Sequence, residues 1–354
     1  MLAINPGSSS VKAAVRDRTD GPVLLRVALD ALDSAAGTLT VNGQDPVPFA
    51  GGMAEAVAAI RQALRQRGIV PDAVAHRVVH GGPDHHGPAL IEEGLLTELR
   101  ALIPLAALHL PGALAVIEQS RQAWPGVPQV ACFDTAFHAA LPPAELRLPV
   151  AAELAAAGIR RYGFHGLSVQ SVLRAEPELG DAVIAHLGSG CSVTAVSADG
   201  LPQHTTMSFT PTAGMVSATR SGDLDPEIVL YLIEQHGYPT AVLRRLFDGG
   251  SGLAGIADGR RDLRELTDAG DPHARLAVEV FVRSAAAAIA GAATALTDWR
   301  SLVFTGGIGE HNPTVRDRIC QRLRLAGVRV SVVPADEERI MDLQARTVLG
   351  EPAG

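Results

Sequence analysis

Three cysteines (Cys132, Cys191, Cys320) in 354 residues are few and odd in number. Without a Cys-x-x-Cys spacing they make neither a disulfide framework nor a structural zinc site, so they read as reduced thiols and the expected location is the cytoplasm. Positive charge is also short, 30 Lys and Arg against 38 Asp and Glu for a net charge of −8. That excludes a nucleic-acid partner and a general attraction to anionic membrane, and leaves any anionic substrate to a few local arginines. Long apolar runs are missing too. The most apolar stretch, residues 285–296 between Arg283 and Asp298, is too short to span a bilayer and reads as buried, within a long helix expected over about residues 272–297. The opening MLAINPGSSS has neither a basic nor an apolar leader region, so no secretory signal is expected. The glycine-rich stretch GGIGE at residues 306–310 is not a Gly-x-Gly-x-x-Gly fingerprint.

What is present is organised around residues 183–196, VIAHLGSGCSVTAV. Two apolar runs flank Gly188, Ser189 and Gly190, where bare backbone and hydroxyl donors are able to cradle phosphate oxygens; an ordinary tight turn has the same composition. Residues 2–15, LAINPGSSSVKAAV, echo it. Setting Ser10-Val11 over Ser192-Val193 brings Leu2-Ala3 over Ile184-Ala185, about half the chain away. A repeat of that period in a chain too long for one typical core implies two similar domains, each offering a polar hairpin to a nucleotide.

Between the hairpins, a strand at residues 73–79 carries Arg77 and ends at His80-Gly81-Gly82. A guanidinium inside an apolar strand needs an anionic partner, either a structural carboxylate or a substrate anion. His76 and His80 read as strand histidines without a role. A strand at residues 128–133 delivers Asp134, either a turn residue or a working carboxylate. RRYGFHGLS at residues 160–168 sets His165 between glycines. Residues 210–223 form a long loop carrying Arg220, closed by Asp225-Pro226 at a helix start. Residues 251–262 read as a second flexible loop, and residues 306–310 (GGIGE) as a glycine-rich turn between a strand and a helix capped at Asn312-Pro313.

Taken together, NPGSSSVK at residue 5, HRVVHGG at 76, FDTAFH at 133, RRYGFHG at 160, HLGSG at 186, FTGGIGE at 304 and Pro334-x-x-Glu337-Glu338 resemble the acetate kinase family. The resemblance runs in order through almost the whole chain. It implies an α/β fold of two duplicated ribonuclease H-like (actin-like ATPase) domains with an interdomain nucleotide cleft: residues 1–136 plus 339–354, and residues 137–338, the latter mediating a homodimer. The implied reaction is reversible transfer of the ATP γ-phosphoryl to acetate, giving acetyl phosphate and ADP, with magnesium or manganese. Propionate or butyrate as acceptor, or a nucleotide-binding homologue without kinase activity, are the alternatives.

By the same resemblance Arg77 binds the carboxylate or the transferring group, with Val79, Leu108, Phe164 and Pro211 as the apolar pocket. His165 and Arg220 stabilise the transition state, His109 supports them, and Asp134 is the catalytic carboxylate. Asn5 and Glu337 match the metal positions. Ser8, Ser10, Lys12, His186, Leu187, Gly188, Ser189, Gly190, Asp258, Arg261, Gly307, Ile308, Gly309, Glu310 and His311 match the nucleotide contacts. The chemistry suits these types, because phosphoryl transfer relies on cationic and hydrogen-bond donors around equatorial oxygens. Acetate is already ionised near neutral pH, so Asp134 is expected to orient Arg77 or the metal. Departures from the family pattern, Ser189 for Asn, Leu110 for Asn, SATRSG before Asp223 and the shortened ADGRRD at 257–262, bear on nucleotide affinity and base preference.

Overall fold

The computed structural model describes residues 1–18 and 20–351; Thr19 and residues 352–354, both within the expected first domain, lie outside them. The chain divides into two compact units, one of Met1–Phe137 with the segment from Asp336 onward, the other His138–Ala335.

In the first unit the strands are β1 (Leu2–Pro6), β2 (Val11–Arg16), β3 (Val23–Asp30), β4 (Thr38–Val41), β5 (Val47–Pro48), β6 (Val74–Val78), β7 (Ala89–Leu90) and β8 (Gln129–Phe133). They form one sheet in the order β5-β4-β3-β2-β1-β6-β8-β7. β1 is antiparallel to β2 and parallel to β6, which is parallel to β8. Every residue of β1 and of β8 is buried, as expected for strands covered on both faces. One cover is the helix Met53–Arg65, whose Ala56, Val57, Ile60, Ala63 and Leu64 are buried at helical spacing. Its first turn is closed by Glu55, whose Oε2 accepts from Gly52 N at 2.9 Å. The C-terminal helix Glu337–Val348 packs on β1, β6 and β8.

The second unit holds β9 (Ala182–Leu187), β10 (Cys191–Val196), β11 (Pro202–Thr205), β12 (Ser301–Thr305) and β13 (Arg329–Val332), in the order β11-β10-β9-β12-β13. This is the order β3-β2-β1-β6-β8 over again, with the same antiparallel first turns and parallel last strands, and the duplication is therefore visible in the topology. The ungapped superposition of the two hairpins is not. The first closes with Pro6 opposite Val11 and the second with Leu187 opposite Cys191. Their tips, residues 7–10 and 188–190, differ in length, so one offset cannot keep both strands in register.

Two segments read as loops are helical. Residues 252–256 form the short helix Gly252–Ile256 inside the stretch 251–262, and the glycine-rich turn is itself the helix Gly306–His311. In the latter, Glu310 Oε1 accepts from Gly306 N and Ala335 N, each at 3.0 Å, which closes a turn that glycine propensity alone would leave open. The apolar stretch lies, as expected, in a longer helix, which ends at Ala293 rather than near residue 297. The helix Pro272–Ala293 has 22 residues and a mean hydropathy of 1.6, long and apolar enough by composition to cross a membrane. Exclusion by length therefore fails, and its packing is informative instead. Ala274, Ala277, Val278, Phe281, Val282, Ala285, Ala286, Ile289 and Ala292 line the second unit's core against β9, β10 and β12.

Candidate active site

In the first unit the charged residues gather where β1, β6 and β8 end. Arg77, on β6, donates through Nε at 3.0 Å and Nη2 at 2.5 Å to the same oxygen, Asp134 Oδ2, and through Nη1 to Pro6 O at 3.1 Å. Asp134 follows β8 and is 0% exposed; its own N–H donates to Val78 O at 3.0 Å. The sequence alternative of a structural carboxylate for Arg77 thus has its partner in Asp134. Burial alone would lower the Arg77 pKa. Asp134, then Glu337 and Glu338, outweigh it and hold the guanidinium above its usual range, so it stays charged.

Asn5, on β1, donates through Nδ2 to Glu337 Oε2 at 2.8 Å and to Glu338 Oε1 at 2.9 Å. Burial, and secondarily the Glu337 charge, push the Glu338 carboxyl up. Among the described residues no group of three or more His, Cys, Asp or Glu side chains is arranged to hold a metal by itself. Two adjacent carboxylates and an amide nevertheless fit a magnesium ion, which takes one or two carboxylates and completes its shell with substrate oxygens and water. The tip of the β1–β2 hairpin places Ser8 in the open and Ser10 half-buried, with Gly7 N donating to Ser10 O at 2.7 Å. Lys12 is exposed on β2.

Val79 is buried, Leu108 is exposed, and His109 stands at the start of the helix Leu110–Ala123. His76 bonds to Gln129 Oε1 at 2.8 Å, and His80 Nδ1 accepts from Gly82 N at 2.8 Å. Burial pushes each imidazole down to about 4. Both are therefore neutral near pH 7 and bring no positive charge.

In the second unit the site is built on the β9–β10 hairpin. His165 precedes the helix Gly166–Ala175 with φ +61°, a left-handed conformation uncommon outside glycine. Its Nδ1 bonds to Ser192 Oγ at 2.9 Å, and its ring stacks on His186 at 4.2 Å between centroids. His186 Nδ1 in turn bonds to Ser168 Oγ at 2.8 Å. Arg220 comes from the segment 210–223, and its Nη1 donates to Pro211 O at 3.3 Å. Both functional groups approach one glycine. A Cβ built on Gly190 would stand 2.7 Å from Arg220 Nη1 and 3.5 Å from His165 Cε1 and Nε2. The site residues His165 and Arg220, far apart in sequence, are thus brought together at the hairpin tip beside Gly188 and Ser189. The stack of His165 on His186 was not legible in the sequence, since nothing in HLGSG marks that ring's neighbour.

The helix Gly306–His311 begins beside the same hairpin: Gly306 has φ +76°, and a Cβ there would meet Leu187 O at 2.8 Å. Gly307 faces open space, Ile308 and Glu310 are half-buried, Gly309 is buried and His311 exposed. Asp258 has φ +55° and bonds to His273 Nδ1 at 2.6 Å, and Arg261 is exposed. Phe164 and Pro211 are buried in this unit, whereas Val79 and Leu108 belong to the first.

Comparison with known proteins agrees over the whole length. The model of the acetokinase family matches residues 1–347. The acetate kinase of Deinococcus deserti is 39% identical over 99% of this chain and 90% of its own length. A propionate kinase structure from Francisella tularensis superposes with a TM-score of 0.88 at 31% identity, covering 96% of this chain and 97% of that one. The acetate kinase structure from Porphyromonas gingivalis gives 0.85 at 30% identity, covering 98% and 99%.

Proposed function

This chain belongs to the acetokinase family, a family of kinases, and from that premise we propose that it is an acetate kinase, transferring the γ-phosphoryl of ATP in line to acetate and back. A carboxylate oxygen attacks the γ-phosphorus, the bond to the β,γ-bridging oxygen breaks, and ADP leaves with that electron pair. The carboxylate is already ionised near neutral pH, so no proton has to be removed. Asp134 therefore serves by fixing Arg77, whose Nε and Nη2 both donate to it, while the guanidinium neutralises the acceptor or the moving group. Arg220 and His165 donate to the equatorial oxygens of the transition state, where fixed donors have their largest effect.

Val79, Leu108, Phe164 and Pro211 set the acceptor's size. Lys12 with Ser8 and Ser10, the hairpin from His186 to Gly190, Asp258, Arg261 and the residues Gly307 to His311 hold the nucleotide. Asn5 and Glu337 would hold magnesium, which when bound neutralises phosphate charge. The observation that carries the reading is the approach of Arg220 and His165 to Gly190 at a glycine hairpin. A cytoplasmic location accompanies it.

With ATP, magnesium and hydroxylamine, acetate should yield a hydroxamate, at a higher kcat/KM than propionate or butyrate. No hydroxamate from any of the three acids would reject the enzyme reading in favour of a nucleotide-binding protein. Relatives carry both names, acetate kinase and propionate kinase, so a propionate preference would reassign the acceptor only.

A homodimer belongs to the same proposal. The helix Pro226–His236, PEIVLYLIEQH, has no buried residue, and Ile228, Leu230, Tyr231 and Ile233 on it are exposed with Tyr238 and Leu246 nearby in sequence. An apolar helix of this kind suits an interface with a second copy. Sedimentation should give twice the 36.8 kDa chain mass, and Tyr231→Glu should shift it toward one chain; a monomeric wild type would discard the dimer.

A further inference from the structure

The segment 210–223 is fastened down along its length, and its tightest fastening is at a residue outside it. Val216 N donates to Ser284 Oγ at 3.0 Å on the long helix, and Thr219 Oγ1 to Asp248 O at 3.0 Å. The three successive carbonyls of Ser217, Ala218 and Thr219 accept from Leu253 N, Ala254 N and Ser251 N, each at 3.0 Å. These amides belong to the start of the helix Gly252–Ile256, where they have no partner within the helix itself. Gly252 lies in their midst with φ +62°, and a Cβ there would stand 2.3 Å from Ser217 O, 2.6 Å from Arg220 O and 2.9 Å from Arg220 N. Distances under 3.0 Å to backbone atoms cannot be relieved by a side-chain rotation, so only glycine permits this seat.

From the end of the same short helix the chain runs on into residues 257–262. Gly259 N donates to Ala254 O at 2.9 Å, and Arg260 is held by both oxygens of Asp271. Arg220 and the stretch that carries Asp258 and Arg261 are therefore two ends of one hydrogen-bonded piece.

Resting on the kinase reading above, we infer that Gly252 is a positioning residue for phosphoryl transfer: its bare Cα lets the backbone around Arg220 seat on the amides of residues 251–254, which fixes the guanidinium and ties it to the nucleoside-binding stretch. A purely structural glycine would affect folding and every kinetic constant alike. A positioning glycine acts through Arg220 alone.

In the full-length enzyme, Gly252→Ala should lower kcat by about thirtyfold or more, approaching the loss of one transition-state donor, with KM for the carboxylate changed less than about threefold. Added to Arg220→Ala it should cause less than about a threefold further loss, because the two changes remove the same contribution. Amide exchange of Leu253 and Ala254, slow in the wild type, should quicken at least tenfold in Gly252→Ala. Ser284→Ala, which withdraws a different fastening from the same segment, should lower kcat a few-fold with the same non-additivity, and serves if Gly252→Ala does not fold. A Gly252→Ala enzyme with wild-type kcat, or losses that multiply in the double variant, overturns the inference while leaving the kinase reading intact. Fast exchange of those amides in the wild type overturns the seat itself. A wild type that makes no acyl phosphate overturns the kinase reading, and the role of Gly252 with it.

Discussion

Arg77→Ala should lower kcat for acyl phosphate formation by about a thousandfold, the upper end of what one preorganised donor contributes in a transition state. It should also lower stability, by about 3 to 5 kcal/mol, since the change strips the guanidinium from a carboxylate that is 0% exposed. The two effects separate in Arg77→Lys. The ammonium keeps the charge that Asp134 needs but cannot present Nε and Nη2 to Oδ2 while Nη1 reaches Pro6 O. Thermal unfolding of Arg77→Lys should therefore sit near wild type while kcat remains at least tenfold down. An Arg77→Ala variant that keeps wild-type kcat would remove Arg77 from the chemistry and leave it a partner for Asp134.

With Arg220 as the proposed donor to the transition state, Arg220→Ala should reduce kcat by about a hundred- to a thousandfold. Gly190→Ala asks the same question without touching the arginine. Its methyl group would stand 2.7 Å from Arg220 Nη1, and the far end of a flexible side chain moves aside cheaply, so the fold should survive. The guanidinium would be displaced, and a shift of about 1 Å at a reacting centre can lower the rate about a hundredfold. Steady-state kinetics on both variants, with nucleotide affinity measured separately, decides it. Full activity in Gly190→Ala would show that the position of Arg220 at the hairpin tip does not matter.

The residues proposed for the acceptor and the phosphates stand out in the sequence because their chemistry is local. Arg77 stands out as a charge inside an apolar strand, Asp134 as the residue after one, and the glycine hairpins as breaks between apolar runs. The two loops that proved helical, residues 252–256 and 306–311, were not legible. Their order comes from bonds to distant backbone, Ser217 O for one and Ala335 N for the other, and no short-range pattern reports such partners. The helix Pro272–Ala293 was legible almost whole, expected over about residues 272–297, although its most apolar stretch covers only its second half. Polar residues such as Arg275 and Glu279 interrupt the apolar run without interrupting the stripe that faces the core.

By itself, the sequence determined the duplicated two-domain architecture, the family, and which side chains carry charge, since strand and helix periods and motif spacings are properties of neighbours along the chain. Only the tertiary structure decided that Arg77 spends two nitrogens on one oxygen of Asp134, that His165 lies on His186, and that Arg220 meets Gly190 from a segment seated on Gly252. Each of these is a contact between residues far apart in the chain, fixed by packing and by backbone bonds that must be satisfied wherever water is excluded.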